Sequence, residues 1–558
     1  MPRHRDRTLL TAAMVLALFV LVAAAPAKRR AAASVPPAVW AEAQAISGDR
    51  LRTDVTFLAD DLFEGRGTGT RGYDLAARYM ATRMELMGLS PAGSEGFLAP
   101  VPFRRARLVE AASSLALVNS KGIARPLELA VDAMMSPDFT SGDRSIEAPL
   151  VFVGYGVSAP ELGHDDFAGL DVRGKVLVQF RGAPPSFPHN ERAFHSNGQI
   201  KDAQAVERGA VGTLTILKPS DQAKQPWAKG VRQSRLPGFR WTDGKGEPAN
   251  VQPSLAVSAS LSPSGIEMLF ASAPRTFAQV ADDAESSRAG GFALEPRLRS
   301  KRVSTHTQMN SPNVVGLLPG SDPVLARECI VVSAHLDHLG ISEPVDGDSI
   351  NNGAYDNASG CAMLLELARA MKALPKAPKR SVLFLAVTAE EKGLQGSDHF
   401  ARHAAPLGLN VVGNVNLDMV LTLTPMTRVV LFGSEHSSLG PVFQEAARLA
   451  GLEAIPDPMP SEVVFVRSDQ FSFVKQGVPG IFPVSGGDGT PAGQEQLAEW
   501  RVDHYHAPSD DMNQVFHWDS AARFTRMAMF GTWMLAASPR RPTWIPGDFF
   551  GKRFSSIP

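Results

Sequence analysis

The segment after Pro312 constrains the fold most, because short apolar runs there alternate with stretches that repeat apolar residues at helical spacing. The pattern predicts strands at 329–333, 381–387, 412–417 and 429–432 and helices at 359–374, 396–403 and 440–450. Such alternation is typical of an α/β sandwich whose sheet is covered by helices on both faces. A last helix at 520–537 is apolar on nearly all sides, so it is expected to pack against this sheet.

The stretch between about 147 and 296 has a different texture, in which short strands are separated by glycine and proline. The strands predicted there lie at 150–153, 175–180 and 211–216. Two long polar loops are predicted at 184–197 and 219–248, and they suit a lid or an interaction surface. This stretch is therefore expected to form a separate β-rich module.

The charge balance excludes one class of partner. The chain has 56 lysines and arginines against 57 aspartates and glutamates, and its formal net charge is -1. Nucleic-acid binding usually needs a broad basic field, so no DNA or RNA partner is expected. The two cysteines, Cys329 and Cys361, cannot supply a disulfide framework and do not have the spacing of a zinc finger.

The first residues are typical of a secretory signal. Arg3, Arg5 and Arg7 precede an uncharged run from 8 to 27, and Ala25-Pro26-Ala27 offers a cleavage site of small residues. The alternative is a retained membrane anchor, because the run approaches the length of a spanning helix. The arginines at 29 and 30 favour cleavage, and the mature protein is expected in the periplasm or the medium without stable membrane association.

Side chains that commonly bind metals follow the predicted strands or stand in the loops between them. These side chains are His335, Asp337, Asp356, Glu390, Glu391, Asp418 and His506. Because sites in α/β sheets form beyond the carboxyl ends of strands, we expect these side chains to lie close together. Each also has an ordinary structural interpretation: a buried histidine whose ring nitrogens are hydrogen-bonded, an aspartate that caps a helix, or two adjacent glutamates in a solvated loop.

Taken together, these residues give two histidines and three carboxylates as ligands and leave one glutamate over, while Asp337 could accept a hydrogen bond from the other ring nitrogen of His335. A single structural zinc closes its shell with four ligands, usually rich in cysteine. A pair of ions needs a bridging carboxylate and about two further ligands for each ion, which matches this set better. Of the adjacent glutamates, one can bind metal while the other stays free as a general base.

These segments resemble those of the co-catalytic dizinc aminopeptidases, a metallopeptidase family that also includes glutamate carboxypeptidase. Glu64-Gly65-Arg66-Gly67 resembles the amino-terminal part of such enzymes, and 151–157 resembles the start of the protease-associated domain inserted in many of them. The resemblance implies a three-layer α/β/α sandwich with a mixed sheet and an inserted β-rich protease-associated domain. The implied division is a signal peptide at 1–27, catalytic parts at 28–146 and 297–558, and the inserted domain at 147–296.

The resemblance also implies a role for each site residue and two Zn²⁺ ions per chain. The implied ligands are His335 and Asp418 for one ion, Glu391 and His506 for the other, and Asp356 as the bridge between them. Glu390 becomes the general base, Asp337 orients His335, and the peptide bond after Asp356 is cis. One departure is Gln470, which stands where the family often has histidine and which cannot be protonated.

The implied reaction is hydrolysis of a peptide bond, with release of an amino-terminal residue as the leading form and peptides as substrates. The alternatives are a carboxypeptidase or dipeptidase of the same family, a glutaminyl cyclase with one zinc ion, and a receptor-like binding protein without activity. A complete set of ligands favours the dizinc peptidase over the last two. The sequence indicates neither the side-chain specificity nor the oligomeric state.

Overall fold

The structure, a computed structural model, describes residues 35–288, 290–404 and 408–555. The predicted signal peptide at 1–27 lies outside the described residues. The helices are α1 (Pro37–Gln44), α2 (Gly48–Leu58), α3 (Arg71–Leu86), α4 (His189–His195), α5 (Gly198–Glu207), α6 (Pro219–Gln222), α7 (Trp227–Ser234), α8 (Pro263–Phe270), α9 (Phe277–Glu285), α10 (Ser359–Lys372), α11 (Gln395–His403), α12 (Leu439–Leu449), α13 (Gln470–Val474), α14 (Pro491–Asp503), α15 (Trp518–Ala537) and α16 (Phe549–Phe554).

The strands are β1 (Ser90–Pro91), β2 (Leu98–Leu108), β3 (Ser114–Val118), β4 (Ala124–Leu127), β5 (Ala133–Met135), β6 (Asp143–Phe152), β7 (Ser158–Ala159), β8 (His164–Asp165), β9 (Val176–Phe180), β10 (Gly212–Ile216), β11 (Gly238–Trp241), β12 (Val257–Leu261), β13 (Phe292–Leu318), β14 (Glu328–His335), β15 (Gly340–Val345), β16 (Asp348–Asn351), β17 (Ser381–Val387), β18 (Asn410–Asn416), β19 (Arg428–Phe432), β20 (Glu453–Ile455) and β21 (Gly480–Ser485). Among the described residues, seventeen strands are connected and divide into two large sheets that share β13, with β1 paired to β13 in the first, and two short hairpins lie apart from them.

The first sheet is mixed and contains the strands predicted after Pro312. Its order is β11–β2–β13–β17–β14–β18–β21–β19–β20. The central strands β17, β14, β18 and β21 are parallel, whereas β13 is antiparallel to both of its neighbours. Parallel strands place their carboxyl ends at one edge, so the loops that follow them meet there.

Helices cover both faces of this sheet, because successive residues of its strands point to opposite sides. Ile330 and Val332 of β14 belong to the core shared with α2, α3, α10, α12 and α15. Cys329 and Val331 face the other side, where Phe400 of α11 packs. Full burial of an aliphatic side chain contributes about 1.5–3 kcal/mol, so each face adds substantially to stability. The predicted α/β sandwich with a mixed sheet is confirmed.

The last long helix, α15, is buried along most of its length and packs on α10, α12, α2 and β14, as its apolar composition predicts. Within the part of the chain that the structure describes, no helix has both the length and the apolar character needed to cross a membrane.

The second sheet runs in the order β4–β3–β13–β6–β9–β10–β12–β5. It has its own apolar core, which includes residues of β6, β9, β10 and β12 and of the helices α8 and α9. Strand β13 belongs to both sheets: its residues 292–303 pair with β6, and its residues 304–318 pair with β2 and β17. One continuous strand therefore joins the two sheets.

The domain division stays a prediction, and two of its boundaries fall inside strands. The boundary after 146 lies within β6, and the boundary after 296 lies within β13. The predicted long loops need correction, because 184–197 contains α4 and 219–248 contains α6, α7 and β11. These elements are short and polar, and α7 buries only Val231, so apolar periodicity did not reveal them.

Candidate metal centre

Three neighbouring parallel strands bring four of the predicted residues to one edge of the first sheet. His335 is the last residue of β14, Glu390 and Glu391 follow the end of β17, and Asp418 follows the end of β18. Asp356 lies in the irregular turn before α10, and His506 follows α14. All five predicted ligands and Glu390 are brought together here.

The first group of donors consists of His335, Asp356 and Asp418. Nε2 of His335 lies 3.1 Å from Oδ1 of Asp356 and 3.1 Å from Oδ1 of Asp418. All three side chains are buried. The hydroxyl of Ser468 donates to the other oxygen of Asp418 at 2.6 Å and so fixes its orientation.

The second group consists of His506, Glu391 and again Asp356. Nε2 of His506 lies 3.0 Å from Oε2 of Glu391 and 3.3 Å from Oδ2 of Asp356. The two oxygens of Asp356 therefore face two different histidines, which is the arrangement of a bridging carboxylate.

The donor set fits two zinc ions. Two donors that are each about 2 Å from one tetrahedral ion are about 3.3 Å apart, close to the separations found in both groups. Oδ2 of Asp356 is buried and, among the described residues, receives no hydrogen bond of good geometry. A buried carboxylate oxygen without a donor is costly unless a cation lies against it. Imidazole nitrogens and carboxylate oxygens are ordinary zinc ligands.

Proton positions in this cluster also suit a cation. The pKa of His506 is raised to about 9, because the carboxylates of Glu391 and Asp356 outweigh the effect of burial. Burial, with the nearby carboxylates of Asp469 and Glu391, raises the pKa of Glu390 well above its ordinary value. Without metal the site thus keeps protons that a bound divalent cation would displace.

Asp337 has a different contact from the one the resemblance implies. Nδ1 of His335 lies 3.0 Å from the main-chain oxygen of Asp337, not from its carboxylate. The carboxylate instead accepts the main-chain N–H of Glu390 at 3.0 Å and the hydroxyl of Thr68 at 3.1 Å. Its two oxygens are thus already occupied, and what it orients is the segment that carries Glu390.

Three residues at or beside the site residues have a strained backbone. Ala389, Met419 and His506 have positive φ angles of 56°, 46° and 56°, although none of them is glycine. Such angles cost energy and persist where the surroundings enforce them, often at functional sites. The peptide bond between Asp356 and Asn357 is cis, as the resemblance implies.

Two further residues hold the loop of the bridging aspartate. The carboxylate of Asp510 accepts the main-chain N–H groups of Tyr355 at 2.9 Å and of Asp356 at 3.0 Å. The buried guanidinium of Arg66 donates to four main-chain oxygens, those of Leu58, Leu336, Asn352 and Gly353. The motif around Arg66 was noted for its resemblance, but its clamping role has no local signal in the sequence.

Sequence reasoning missed two residues that touch the ligands. His338 is completely buried, and its Nδ1 lies 2.8 Å from Oε1 of Glu391. The signal for it was its place three residues after His335. Gln233 of α7 belongs to the inserted stretch, and its side-chain amide lies 3.3 Å from Nδ1 of His506. Nothing in the sequence connects Gln233 to His506, 273 positions away.

Helix α7 lies at the metal centre through a second contact. The ammonium group of Lys229 donates to the main-chain oxygen of Tyr505, and the ring centre of Tyr505 lies 3.8 Å from that of His506.

Gln470, by contrast, takes no part in the metal centre. It accepts from Asn416 at 3.0 Å and donates to the main-chain oxygen of Phe465 at 2.6 Å, so its amide is fully used in the core.

A comparison with protein families matches residues 313–530 to the model of peptidase family M28. The matched part of the chain is called the M28 region below. It includes six whole strands of the first sheet, the helices α10 to α14, the first part of α15 and all of the site residues that were predicted from the sequence.

Known proteins similar to part of this chain include peptidases of bacteria and fungi. Aminopeptidase YwaD of Bacillus subtilis (strain 168) is 27% identical over 218 residues, which are 38% of this chain and 42% of the relative. The probable leucine aminopeptidase 2 of Aspergillus oryzae is 26% identical over 250 residues, 41% of this chain and 45% of the relative. The chain thus spans less than half the length of these curated relatives.

Solved structures that are similar over most of the chain include an aminopeptidase. The aminopeptidase from Aneurinibacillus sp. strain AM-1 has a TM-score of 0.52 and is 19% identical, and the match covers 91% of this chain and 98% of that one. This similarity shows that the two proteins share a fold.

Proposed function

We propose that this chain is an exported zinc exopeptidase that binds two zinc ions and releases amino-terminal residues from peptides. One observation carries the proposal: the two oxygens of Asp356 face two different histidines, and each histidine also faces a second carboxylate. The family of the M28 region and the names of its relatives support the same reading.

The five ligands divide into two sets that share Asp356. His335 and Asp418 would hold one ion with it, and Glu391 and His506 the other. When bound, zinc supplies Lewis-acid chemistry: it makes water a stronger acid and stabilises negative charge that develops on oxygen. The surrounding residues keep the donors in place, because Ser468 fixes Asp418 and Asp510 fixes the turn that carries Asp356.

Glu390 is the proton carrier in this proposal. It is adjacent to the ligand Glu391, and no described residue makes an ion pair with it or donates a hydrogen bond to its carboxylate. Its raised pKa suits a group that takes a proton from the attacking water and then delivers it to the leaving amine. Asp337 holds the main chain of Glu390, so it acts as a positioning residue.

The aminopeptidase reading rests on charge. Asp418 accepts the hydroxyl of Ser468, the neighbour of Asp469, and burial, together with the carboxylates of these two aspartates, raises the pKa of Glu390. A free α-ammonium group carries the complementary charge, so an unblocked amino terminus is the favoured end of the substrate. Export is supported by the basic start, the uncharged run and the small-residue cleavage site within residues 1–27.

The two adjacent glutamates give a matched test. Glu390→Gln should keep two zinc ions per chain and lower kcat by about 10²–10⁴-fold, because the proton carrier is lost while the ligands remain. Glu391→Gln should lose zinc as well as activity, because it removes a ligand. Zinc content by mass spectrometry and hydrolysis of aminoacyl arylamides are the measurements. Unchanged hydrolysis in Glu390→Gln would show that Glu390 is not the base.

A substrate panel tests the type of peptidase. Peptides with a free amino terminus should be cleaved, the same peptides with an acetylated amino terminus should not, and a chelator should abolish the cleavage. Cleavage of the acetylated peptides from the carboxyl end would indicate a carboxypeptidase. Cyclisation of amino-terminal glutamine without hydrolysis, with one zinc ion per chain, would indicate a glutaminyl cyclase.

A further inference from the structure

A third histidine stands inside the metal centre. His338 follows His335 by three residues, and its side chain is completely buried. It is not among the ligands that the resemblance implies, and the proposed mechanism gives it no task. Its donor atom and carboxylate oxygens of Asp356 and Glu391, the two carboxylates of the second ion site, nevertheless lie within 4.8 Å of one another.

The contacts of His338 parallel those of His506. Nδ1 of His338 lies 2.8 Å from Oε1 of Glu391 and 3.8 Å from Oδ2 of Asp356. Nε2 of His506 lies 3.0 Å from Oε2 of Glu391 and 3.3 Å from the same Oδ2 of Asp356. The two imidazoles therefore approach one pair of carboxylates from two sides, with ring centres 5.7 Å apart.

The ring of His338 is held firmly in this position. Gly353 lies directly against it: a Cβ atom at Gly353 would be 2.7 Å from two ring carbons. The main-chain N–H of His338 donates to the oxygen of Arg66 at 3.2 Å. On its far side, Nε2 is buried and has no hydrogen-bond partner among the described residues. The ring thus makes its polar contacts only through Nδ1, toward the second ion site.

We propose that Nδ1 of His338 is a fourth protein ligand of the ion that Asp356, Glu391 and His506 hold. This inference rests on the proposed function, because it assigns a residue to one of the two proposed ions. The second site then has two imidazoles and two carboxylates, a closed set of four such as structural zinc sites have. The first site has only His335, Asp356 and Asp418, and three protein ligands leave a position open, as in catalytic zinc sites.

The two ions are therefore held with different affinities. The second ion binds first and leaves last, because it has one nitrogen ligand more. The first ion exchanges more readily and is the one that an added chelator removes at low concentration. A hydrogen bond from His338 to Glu391 without metal ligation is the competing reading, and it predicts one imidazole on the second ion instead of two.

The number of imidazoles on zinc decides between these readings in the unmodified protein. Metal-free protein loaded with one equivalent of zinc is measured by X-ray absorption at the zinc edge. Two imidazoles on that ion support the proposal, and one imidazole overturns it. This measurement needs no substituted protein, so it does not depend on whether a variant folds.

Substitution of His338 gives a second test. His338→Ser should lower the affinity for the tightly held ion by roughly 100-fold, as measured by competition with a zinc chelator. The number of imidazole ligands found by X-ray absorption should fall by one. His338→Gln keeps most of the side-chain volume but also lacks the imidazole, so it should behave in the same way. His403→Ser, which removes an exposed histidine of α11, is the control and should leave zinc binding unchanged.

The outcomes separate this inference from the function it rests on. Two ions released together by chelator, with no change in His338→Ser, would overturn the role of His338 and leave the peptidase intact. A protein that binds no zinc at neutral pH would overturn both. Sequential release that becomes simultaneous in His338→Ser and His338→Gln, but not in His403→Ser, supports the proposal.

Discussion

At the scale of the residue, Gln233 is notable because it reaches the metal centre from the inserted stretch. For Nε2 of His506 to bind metal, Nδ1 must carry the proton and needs an acceptor. The side-chain amide of Gln233 lies 3.3 Å from Nδ1, and rotation of the amide presents its oxygen to that N–H. With zinc bound to His506, Gln233 would therefore fix the tautomer and orientation of this ring.

We expect Gln233→Leu to weaken zinc binding about 10–100-fold, because the partner that orients a ligand is lost. Gln496→Leu, at an exposed position, is the control and should bind zinc normally. Chelator competition measures both variants. Normal zinc affinity in Gln233→Leu would mean that His506 is oriented without help from the inserted stretch.

The residues that the sequence could and could not predict differ in one physical respect. His335, Glu391 and Asp418 could be predicted, because each follows an apolar strand and parallel strands end at one edge. Gln233 could not, because its contact with His506 depends on how α7 lies over the first sheet. The carboxylate of Asp337 was assigned to the wrong partner, since local spacing does not show that the main chain of Glu390 competes for it.

At the scale of the element, α11 is fixed by a buried carboxylate. The carboxylate of Asp398 forms ion pairs with Lys475 at 2.9 Å and with Arg402 at 3.0 Å. It also accepts hydrogen bonds from the side chains of Trp241 and Asn250. Burial alone would raise its pKa, but the two cations and the hydrogen bonds lower the pKa of Asp398 far below its ordinary value. The ionised form is thus favoured in the folded state.

This depressed pKa predicts the pH dependence of stability. A carboxylate whose folded pKa is lowered stabilises the fold above its unfolded pKa, about 3.9, and loses that contribution as the pH falls toward the folded pKa. Asp398→Asn should lower the free energy of unfolding at neutral pH by about 3–5 kcal/mol and reduce its decline below pH 4. Urea unfolding at several pH values measures both effects, with exposed Asp282→Asn as control. An unchanged acid slope would contradict the role of Asp398.

Element boundaries were predicted well where apolar patterns decide them and poorly where prolines interrupt a strand. The strand predicted at 381–387 has the observed bounds of β17. In β13, Pro296 lies at an irregularity in the pairing with β6, and Pro312 lies opposite Pro100. Proline usually marks a strand end or a bulge, so the sequence predicts a boundary where the structure has one continuous strand.

At the scale of the whole molecule, the proposed ions should stabilise the first sheet. Without them, Asp356, Glu391 and Asp418 are buried together, and like charges at short distance destabilise the folded state. A ligand at 1,000 times its Kd adds about 4 kcal/mol of stability. Removal of zinc should therefore lower the Tm by several degrees, and added zinc should restore it. Differential scanning calorimetry measures this change.

The variant Glu391→Gln is the matched control for this prediction. It lacks a ligand of the second ion, so chelator should change its Tm much less than that of the unmodified chain. If the chelator removes zinc from the unmodified chain and the Tm does not change, the ions have no structural role.

The shared strand β13 has a consequence for how the chain is made. Strand β2 pairs with residues about 200 positions later, after the whole second sheet has been synthesised. Pairings so distant in sequence are slow to form, so β2 leaves the ribosome long before its partner exists.

The inserted stretch also cannot be excised at 147–296 without cutting a strand that both sheets use. A smaller folded protein is therefore not obtained by deleting the insert, and a truncation must keep β13 whole.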